Sequence, residues 1–130
     1  MIDAKELRIG NWVMHDGKFY QATSMYVYNP VNQDQYVLIR LGEGQGVDSR
    51  YLEPIQLTEE MLLKCEFEKT KLNDYTYFFN LYPLQLLYNA ANGIDYFHSQ
   101  FGGKFIKVAS LHQLQNLYFA LTGKELEFSL

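Results

Sequence analysis

The fold class follows from a stretch near the amino terminus, residues 12–25, which reads WVMHDGKFYQATSM. Apolar and β-branched residues lie on both sides of Asp16-Gly17. This dipeptide is typical of two-residue hairpin turns, because both of its positions adopt positive φ. The sequence therefore predicts two antiparallel strands, at residues 12–15 and 18–25.

Two further extended runs follow this hairpin. Residues 25–28 end at Asn29-Pro30 and a polar loop, and residues 36–41 are apolar enough for a buried strand. The alternate glycines that come next are too flexible for a strand interior and predict a loop: Gly42, Gly44 and Gly46. The pattern indicates a small antiparallel β module with the size of an SH3-like half-barrel.

A short helix is predicted after Pro54. The Thr58 hydroxyl is placed to accept a hydrogen bond from a backbone N–H of the first turn. Glu59 and Glu60 favour the positive end of the helix dipole. The helix is expected to end near Cys65. Two leucines have the spacing of a hydrophobic staple across the helix start: Leu57 and Leu62.

Strand patterns return after this helix. Apolar side chains alternate before and after a break at Pro83, which predicts two strands that each bury one face. The alternating positions are Tyr75, Tyr77, Phe79 and Leu81, then Leu84, Leu86 and Tyr88.

A second hairpin is predicted further along. Residues 89–93 read as a loop, and strands at 95–101 and 104–108 lie on either side of Gly102-Gly103. These strands extend the second antiparallel sheet.

The last helix is predicted between Ser110 and Gly123. Ser110 and Gln113 have the spacing of a capping box, and glycine favours the left-handed conformation that ends many helices. Replacement of Leu117 by Ala is expected to cost about 2–5 kcal/mol if this residue belongs to the core. The apolar positions recur at helical spacing: Leu111, Leu114, Leu117, Tyr118 and Leu121.

These elements predict an α+β fold. A small antiparallel β module is followed by a short helix and a second antiparallel sheet, on which the carboxyl-terminal helix packs. The length of 130 residues fits a single compact domain, residues 1–130, with sub-regions at 1–53 and 54–130. Aromatic residues make up 16% of the chain, which suits a substantial hydrophobic core.

The composition also excludes several classes of protein. Eleven Lys and Arg against fifteen Asp and Glu leave a net charge of −4, which disfavours nucleic-acid binding through phosphates. Cys65 is the single cysteine, so no intramolecular disulfide forms. The chain shows no signal-peptide pattern and no apolar run of about 20 residues, the length of a membrane span. A cytoplasmic protein without membrane contact is expected.

No motif points to a cofactor. The glycines at 42, 44 and 46 suggest a nucleotide-binding loop, but Val47 stands where the dinucleotide fingerprint requires glycine. A phosphate-binding loop requires Lys followed by Ser or Thr, and this pair is missing here. The carboxylates of Glu43 and Asp48 would also repel a phosphate group. A hairpin loop is the favoured interpretation, and no cofactor is expected.

No motif points to catalysis or a metal either. Cys65 with His98 or His112 is a conceivable nucleophile–base pair, but nothing in the sequence places these residues together. The histidines are far apart along the chain, without an HxxxH or CxxC pair. No catalytic residue and no metal ligand is therefore predicted.

The aromatic residues of the first β module are the remaining functional lead. Exposed tyrosines on a small barrel bind peptides, partner proteins or nucleic-acid bases. The alternative is that these rings cover the barrel core. The predicted interaction patch consists of Trp12, Tyr20, Tyr26, Tyr28 and Tyr36.

Three blocks of the sequence carry a resemblance. Residues 7–13 read LRIGNWV, residues 53–64 within the block 47–67 read EPIQLTEEMLLK, and residues 112–123 within the block 108–126 read HQLQNLYFALTG. Together these blocks resemble a family of small uncharacterised proteins from gut bacteria, often found in prophage-like or mobile-element regions. The resemblance implies a cytoplasmic accessory protein with an amino-terminal β module and a carboxyl-terminal helix. It implies no catalytic or binding residues.

The sequence leaves three functions open. A non-enzymatic protein-interaction or accessory protein, which binds an unknown partner or itself, is favoured by the aromatic residues and the absence of catalytic motifs. A nucleic-acid-associated module that uses an aromatic SH3-like surface is the alternative. An enzyme whose site is assembled from scattered residues is the third interpretation.

Overall fold

The computed structural model describes residues 1–31, 35–89, 97–101 and 104–128. The chain divides into two compact units, Met1–Ile55 and Gln56–Leu130, which we call the amino-terminal and carboxyl-terminal units. The division lies close to the boundary at 53/54 that the sequence predicts. A single compact domain over residues 1–130 stays a prediction.

The amino-terminal unit is a curled, four-stranded antiparallel half-barrel, which confirms the predicted β module. Asp16 and Gly17 have φ of 50° and 75°, the positive values that a tight hairpin turn requires. The strands pair in chain order: β1 (Trp12–His15), β2 (Lys18–Tyr28), β3 (Tyr36–Leu41) and β4 (Gly46–Asp48).

Two details of this sheet differ from the sequence prediction. β2 is one strand of eleven residues, because its pairing with β3 continues past Met25 as far as Tyr28. Gly46 belongs to β4 rather than to the loop, since it pairs with Arg40. The half-barrel therefore has a longer second strand and a shorter loop than predicted.

The core of the amino-terminal unit lies on the inner face of this sheet. Tyr20, Met25, Val37 and Val47 are partly buried and pack against it. The buried side chains that form this core come from all parts of the unit: Ile2, Leu7, Val13, Ala22, Ile39, Leu41 and Leu52.

The carboxyl-terminal unit begins with the predicted short helix, α1 (Glu59–Lys64). The Thr58 hydroxyl accepts a hydrogen bond from Met61 N–H at 3.2 Å, as the cap prediction requires. Cys65 follows the last helical residue. Leu57 and Leu62 are both buried, as expected of a hydrophobic staple.

The second sheet is antiparallel and its strands also pair in chain order. Its bounds are β5 (Glu68–Lys71), β6 (Thr76–Leu81), β7 (Leu84–Asn89), β8 (Phe97–Phe101) and β9 (Lys104–Val108). The α+β fold class is thereby confirmed. Asn89 belongs to β7 rather than to the predicted loop, and the rest of that loop, Asp95 and the Gly102-Gly103 turn lie outside the described residues.

Burial along β6 and β7 follows the predicted alternation only in part. Leu84 and Leu86 on β7 are buried as predicted, and so is Phe79 on β6. Tyr75 is 60% exposed and precedes the first residue of β6. The predicted pattern is therefore confirmed on β7 and wrong at the start of β6.

The last helix is α2 (Leu111–Thr122). The side-chain oxygen of Gln113 accepts hydrogen bonds from the N–H groups of Ala109 and Ser110, at 2.9 and 3.3 Å. Gly123 has φ of 71°, the left-handed conformation predicted for the residue that ends the helix.

The buried face of α2 differs from the predicted stripe. Leu111 and Leu114 are fully buried, but Leu117 is only half-buried and Leu121 is 37% exposed. The buried positions are confined to the first part of the helix, where the polar His112 also belongs to the buried face. The predicted stripe is therefore confirmed at Leu111 and Leu114, whereas Leu117 is only partly covered and Leu121 is exposed.

Candidate functional site

Three of the five predicted patch residues lie on one face of the half-barrel. Tyr28 is directly opposite Tyr36 in the β2–β3 register, and residues in such a pair point to the same side of the sheet. Tyr26 lies two residues before Tyr28 and shares that side. We call the surface formed by Tyr26, Tyr28 and Tyr36 the tyrosine face.

The rings of the tyrosine face remain accessible. Tyr26 is 48% exposed and Tyr28 is 46% exposed, whereas Tyr36 is partly buried. The Tyr28 and Tyr36 ring centroids are 5.1 Å apart with an interplanar angle of 49°, a tilted pair within the range of favourable aromatic contacts. Tyr26 and Tyr28 thus leave about half of their surface accessible to solvent.

The other two predicted patch residues lie elsewhere in the sheet. Tyr20 packs against the core on the inner face. Trp12 is half-buried on β1 and lies opposite Gln21, in the first part of β2. Tyr20 therefore lies on the side opposite to the tyrosine face, and Trp12 lies on β1 rather than on the paired β2–β3 segment that carries the three tyrosines.

A β-bulge in β2 separates Tyr20 from the tyrosine face. Ala22 pairs with Leu41 and Ser24 pairs with Arg40, so Thr23 has no residue opposite it. The Thr23 hydroxyl donates to the Gly42 carbonyl at 2.7 Å, which holds the bulge against the end of β3.

A glycine makes room for the ring of Tyr26. A Cβ atom placed on Gly46 would lie 2.6 Å from the Tyr26 hydroxyl oxygen, too close for any side chain unless the tyrosine moves. Tyr26 and Gly46 also line an open depression of about 690 Å³. Gly46 therefore sets how closely the Tyr26 ring lies against β4.

Two arginines lie beside the tyrosine face, and both are engaged within the unit. The Arg40 guanidinium donates to the backbone carbonyls of Gly44 at 3.0 Å and Glu43 at 3.3 Å. Arg50 forms a bidentate ion pair with Asp48, with contacts from 2.7 to 3.1 Å. The guanidinium carbon of Arg50 also lies 5.8 Å from the centre of the Tyr36 ring.

This ion pair changes the acidity of both partners. The side-chain hydrogen bonds from Arg50 lower the pKa of Asp48 below its usual value of 3.8, although desolvation opposes the shift. The same hydrogen bonds raise the pKa of Arg50. Asp48 therefore stays ionised at any pH near neutrality and neutralises Arg50 beside the tyrosine face.

Among the described residues, no strand pairs with the edge of β2 next to the tyrosine face. β1 pairs only with Lys18–Gln21, and the backbone of Gly10 and Asn11 bonds to Ala22. From Thr23 to Tyr28, no described residue forms a strand on the side of β2 away from β3. This segment reads TSMYVY and contains no charged side chain. We call it the free edge.

The sequence prediction does not include two exposed valines, one on the free edge and one beyond it. Val27 on β2 is 56% exposed, and Val31 just after the strand is 86% exposed. The uncharged run from Thr23 to Val31 is the signal that points to them, because edge strands are ordinarily protected by charge.

Two of the residues considered for catalysis, Cys65 and His112, are buried. Burial raises the pKa of the Cys65 thiol to about 11, so the thiolate needed for nucleophilic attack is scarce at neutral pH. His112 is buried, with Nδ1 3.1 Å from the Ser110 hydroxyl. The side chain of His98 lies outside the described residues. Within the part of the chain that the structure describes, no three His, Cys, Asp or Glu side chains form a group able to hold a metal ion.

Among the described residues, no helix has the length and apolar character needed to cross a bilayer. The chain matches no protein-family model, no curated protein and no solved structure.

Proposed function

We propose that this protein is a non-enzymatic interaction module that binds a second copy of itself through the free edge of β2. The observation that carries the proposal is an uncharged edge, Thr23–Tyr28, beside accessible tyrosines. The accessory role in a prophage-like or mobile-element region that the resemblance implies, and a cytoplasmic location, belong to the same proposal.

The backbone of an edge strand is the first part of the argument. Unpaired N–H and C=O groups along a strand are a template for another strand, and natural proteins ordinarily block such edges with charged residues. The edge strand β5 of the same chain has this protection, since Glu68, Lys69 and Lys71 make three of its four residues charged. The free edge of β2 lacks it, which supports pairing as its role.

The side chains next to this edge are the second part of the argument. Tyrosine is enriched at protein interfaces because its ring buries a large apolar area while its hydroxyl finds a hydrogen-bond partner. A second β2 strand would extend the sheet and bring two sets of Tyr26 and Tyr28 together. Two-fold pairing of identical edges closes on itself, so the expected product is a dimer rather than a fibre.

A charge placed on the free edge tests the proposal. Val27→Lys introduces a charge into the otherwise uncharged pairing segment, which two-fold pairing would bring against the edge of the second copy. We expect the wild-type protein to become dimeric as its concentration rises, and V27K to remain monomeric, in size-exclusion chromatography with light scattering.

A matched control separates edge pairing from a general effect of charge. Val31→Lys makes the same substitution just beyond β2, at a position that is more exposed than Val27. This variant is expected to dimerise like the wild-type protein. A wild-type chain that stays monomeric at every concentration, or a V27K variant that dimerises normally, contradicts the proposal.

Nucleic-acid binding through the tyrosine face is the less favoured function. Bases stack on exposed tyrosines, but phosphates require cations, and Asp48 already neutralises Arg50. The net charge of −4 also repels nucleic acid. Binding of single-stranded DNA or RNA at low salt that is lost in Tyr26→Ala would support this function instead.

A further inference from the structure

The carboxyl-terminal unit contains a cavity of about 320 Å³ at the start of α1. Cavities that bind small molecules have volumes of about 300–1,000 Å³, with mostly apolar walls and a few polar groups. The strands β5, β6 and β7 contribute Lys69, Tyr77, Phe79 and Tyr88, and the start of α1 contributes Leu57, Thr58 and Glu59.

The strand register explains why these side chains meet. Lys69 is directly opposite Phe79, and Tyr77 is directly opposite Tyr88, so all four point to the same side of the sheet. Phe79 is 1% exposed and forms an apolar wall of the cavity. The two tyrosines add aromatic surface beside it.

One ion pair supplies the charge of the cavity. The Lys69 ammonium contacts the Glu59 carboxylate and lies 4.3 Å from the centre of the Tyr77 ring. The hydrogen bond to Glu59 raises the pKa of Lys69, so the ammonium stays protonated at neutral pH. The charges of the groups that line the cavity therefore sum to zero. The pair also places a hydrogen-bond donor, the ammonium, beside an acceptor, the carboxylate.

We propose that this cavity binds a small, uncharged aromatic molecule that carries both a hydrogen-bond donor and an acceptor. The aromatic body would lie against Phe79, Tyr77 and Tyr88, and its polar group would bond to the Lys69–Glu59 pair. An anion would meet the Glu59 carboxylate and a cation would meet the Lys69 ammonium. Each would separate the existing pair, which an uncharged ligand leaves intact.

Three probes of the same shape test the choice of ligand charge. Benzamide is neutral and has a donor and an acceptor, benzoate is its anionic counterpart, and benzamidinium is its cationic counterpart. Titrations followed by NMR chemical shifts are expected to show the tightest binding for benzamide, with shifts at Tyr77, Phe79 and Tyr88.

Two variants should change the preference in opposite directions. Glu59→Gln leaves the Lys69 ammonium without its carboxylate, so benzoate is expected to gain affinity relative to benzamide. Lys69→Gln leaves the carboxylate without its cation, so benzamidinium is expected to gain instead. The expected change is roughly threefold to fivefold for each, the size of a partly exposed ion pair.

Glu60→Gln is the matched control. Glu60 is the next residue on α1 and pairs with Lys64 at 3.5 Å, but it does not line the cavity. This variant changes net charge and helix start in the same way as E59Q, and it should leave the order of the three probes unchanged. The proposal is overturned if no probe shifts the resonances of Tyr77, Phe79 and Tyr88, or if a charged probe binds the wild-type protein more tightly than benzamide does. It is also overturned if E59Q and K69Q keep the affinity ratios of the wild-type protein, as E60Q should.

Discussion

Replacement of Leu114 by Ala is expected to lower the free energy of unfolding by about 2–5 kcal/mol. Leu114 is fully buried on α2, so the substitution removes buried methyl groups and leaves a cavity. The loss should be measured by urea denaturation followed by circular dichroism, and should appear as a lower midpoint with an unchanged slope.

The same helix supplies the control for this prediction. Leu121→Ala makes an identical substitution at a position that is 37% exposed, and a loss of less than about 1 kcal/mol is expected. Leu117→Ala should fall between the two, because Leu117 is half-buried. Equal losses at Leu114 and Leu121 would show that α2 buries a different face from the one described.

Alkylation of Cys65 by iodoacetamide at neutral pH is expected to be at least roughly a hundredfold slower in the folded protein than in the unfolded chain. Burial raises the thiol pKa from 9.0 to about 11, and each pKa unit removes about nine-tenths of the reactive thiolate. Mass spectrometry of time points with and without denaturant measures the ratio.

The pH dependence provides a second measurement on Cys65. The labelling rate of the folded protein should rise until the pH approaches 11. The folded state holds the thiol proton more tightly than the unfolded state does. The free energy of unfolding therefore contains a contribution from Cys65 that is complete below pH 9.0 and is lost as the pH rises towards 11. Rapid labelling at neutral pH without unfolding would restore Cys65 as a candidate nucleophile.

Local signals account for the parts of the fold that the sequence predicts correctly. Asp16-Gly17 specifies its turn through backbone conformation, and Thr58 caps α1 through a hydrogen bond within the same turn. Both effects act over three or four residues. They need no knowledge of the rest of the fold.

The features that the sequence predicts wrongly or does not predict depend on contacts between residues that are distant in sequence. Hydropathy places Leu117 on an apolar stripe, but tertiary packing decides which part of that stripe is covered. The candidate sites depend on such contacts even more strongly. Lys69 and Glu59 meet only because β5 folds beside the start of α1, and Tyr36 joins Tyr28 only through the β2–β3 register.

The bulge at Thr23 determines whether β2 tolerates the deletion or the insertion of a residue. If β2 kept Thr23 but had no bulge, the side chains of Tyr26 and Tyr28 would point to the same side of the sheet as Tyr20. Both tyrosines would then face the core. Deletion of Thr23 would instead restore strict alternation and leave both tyrosines outside, with Met25 still inside. A chain one residue shorter therefore keeps every β2 side chain on its present face, and an insertion elsewhere in β2 requires a bulge of its own.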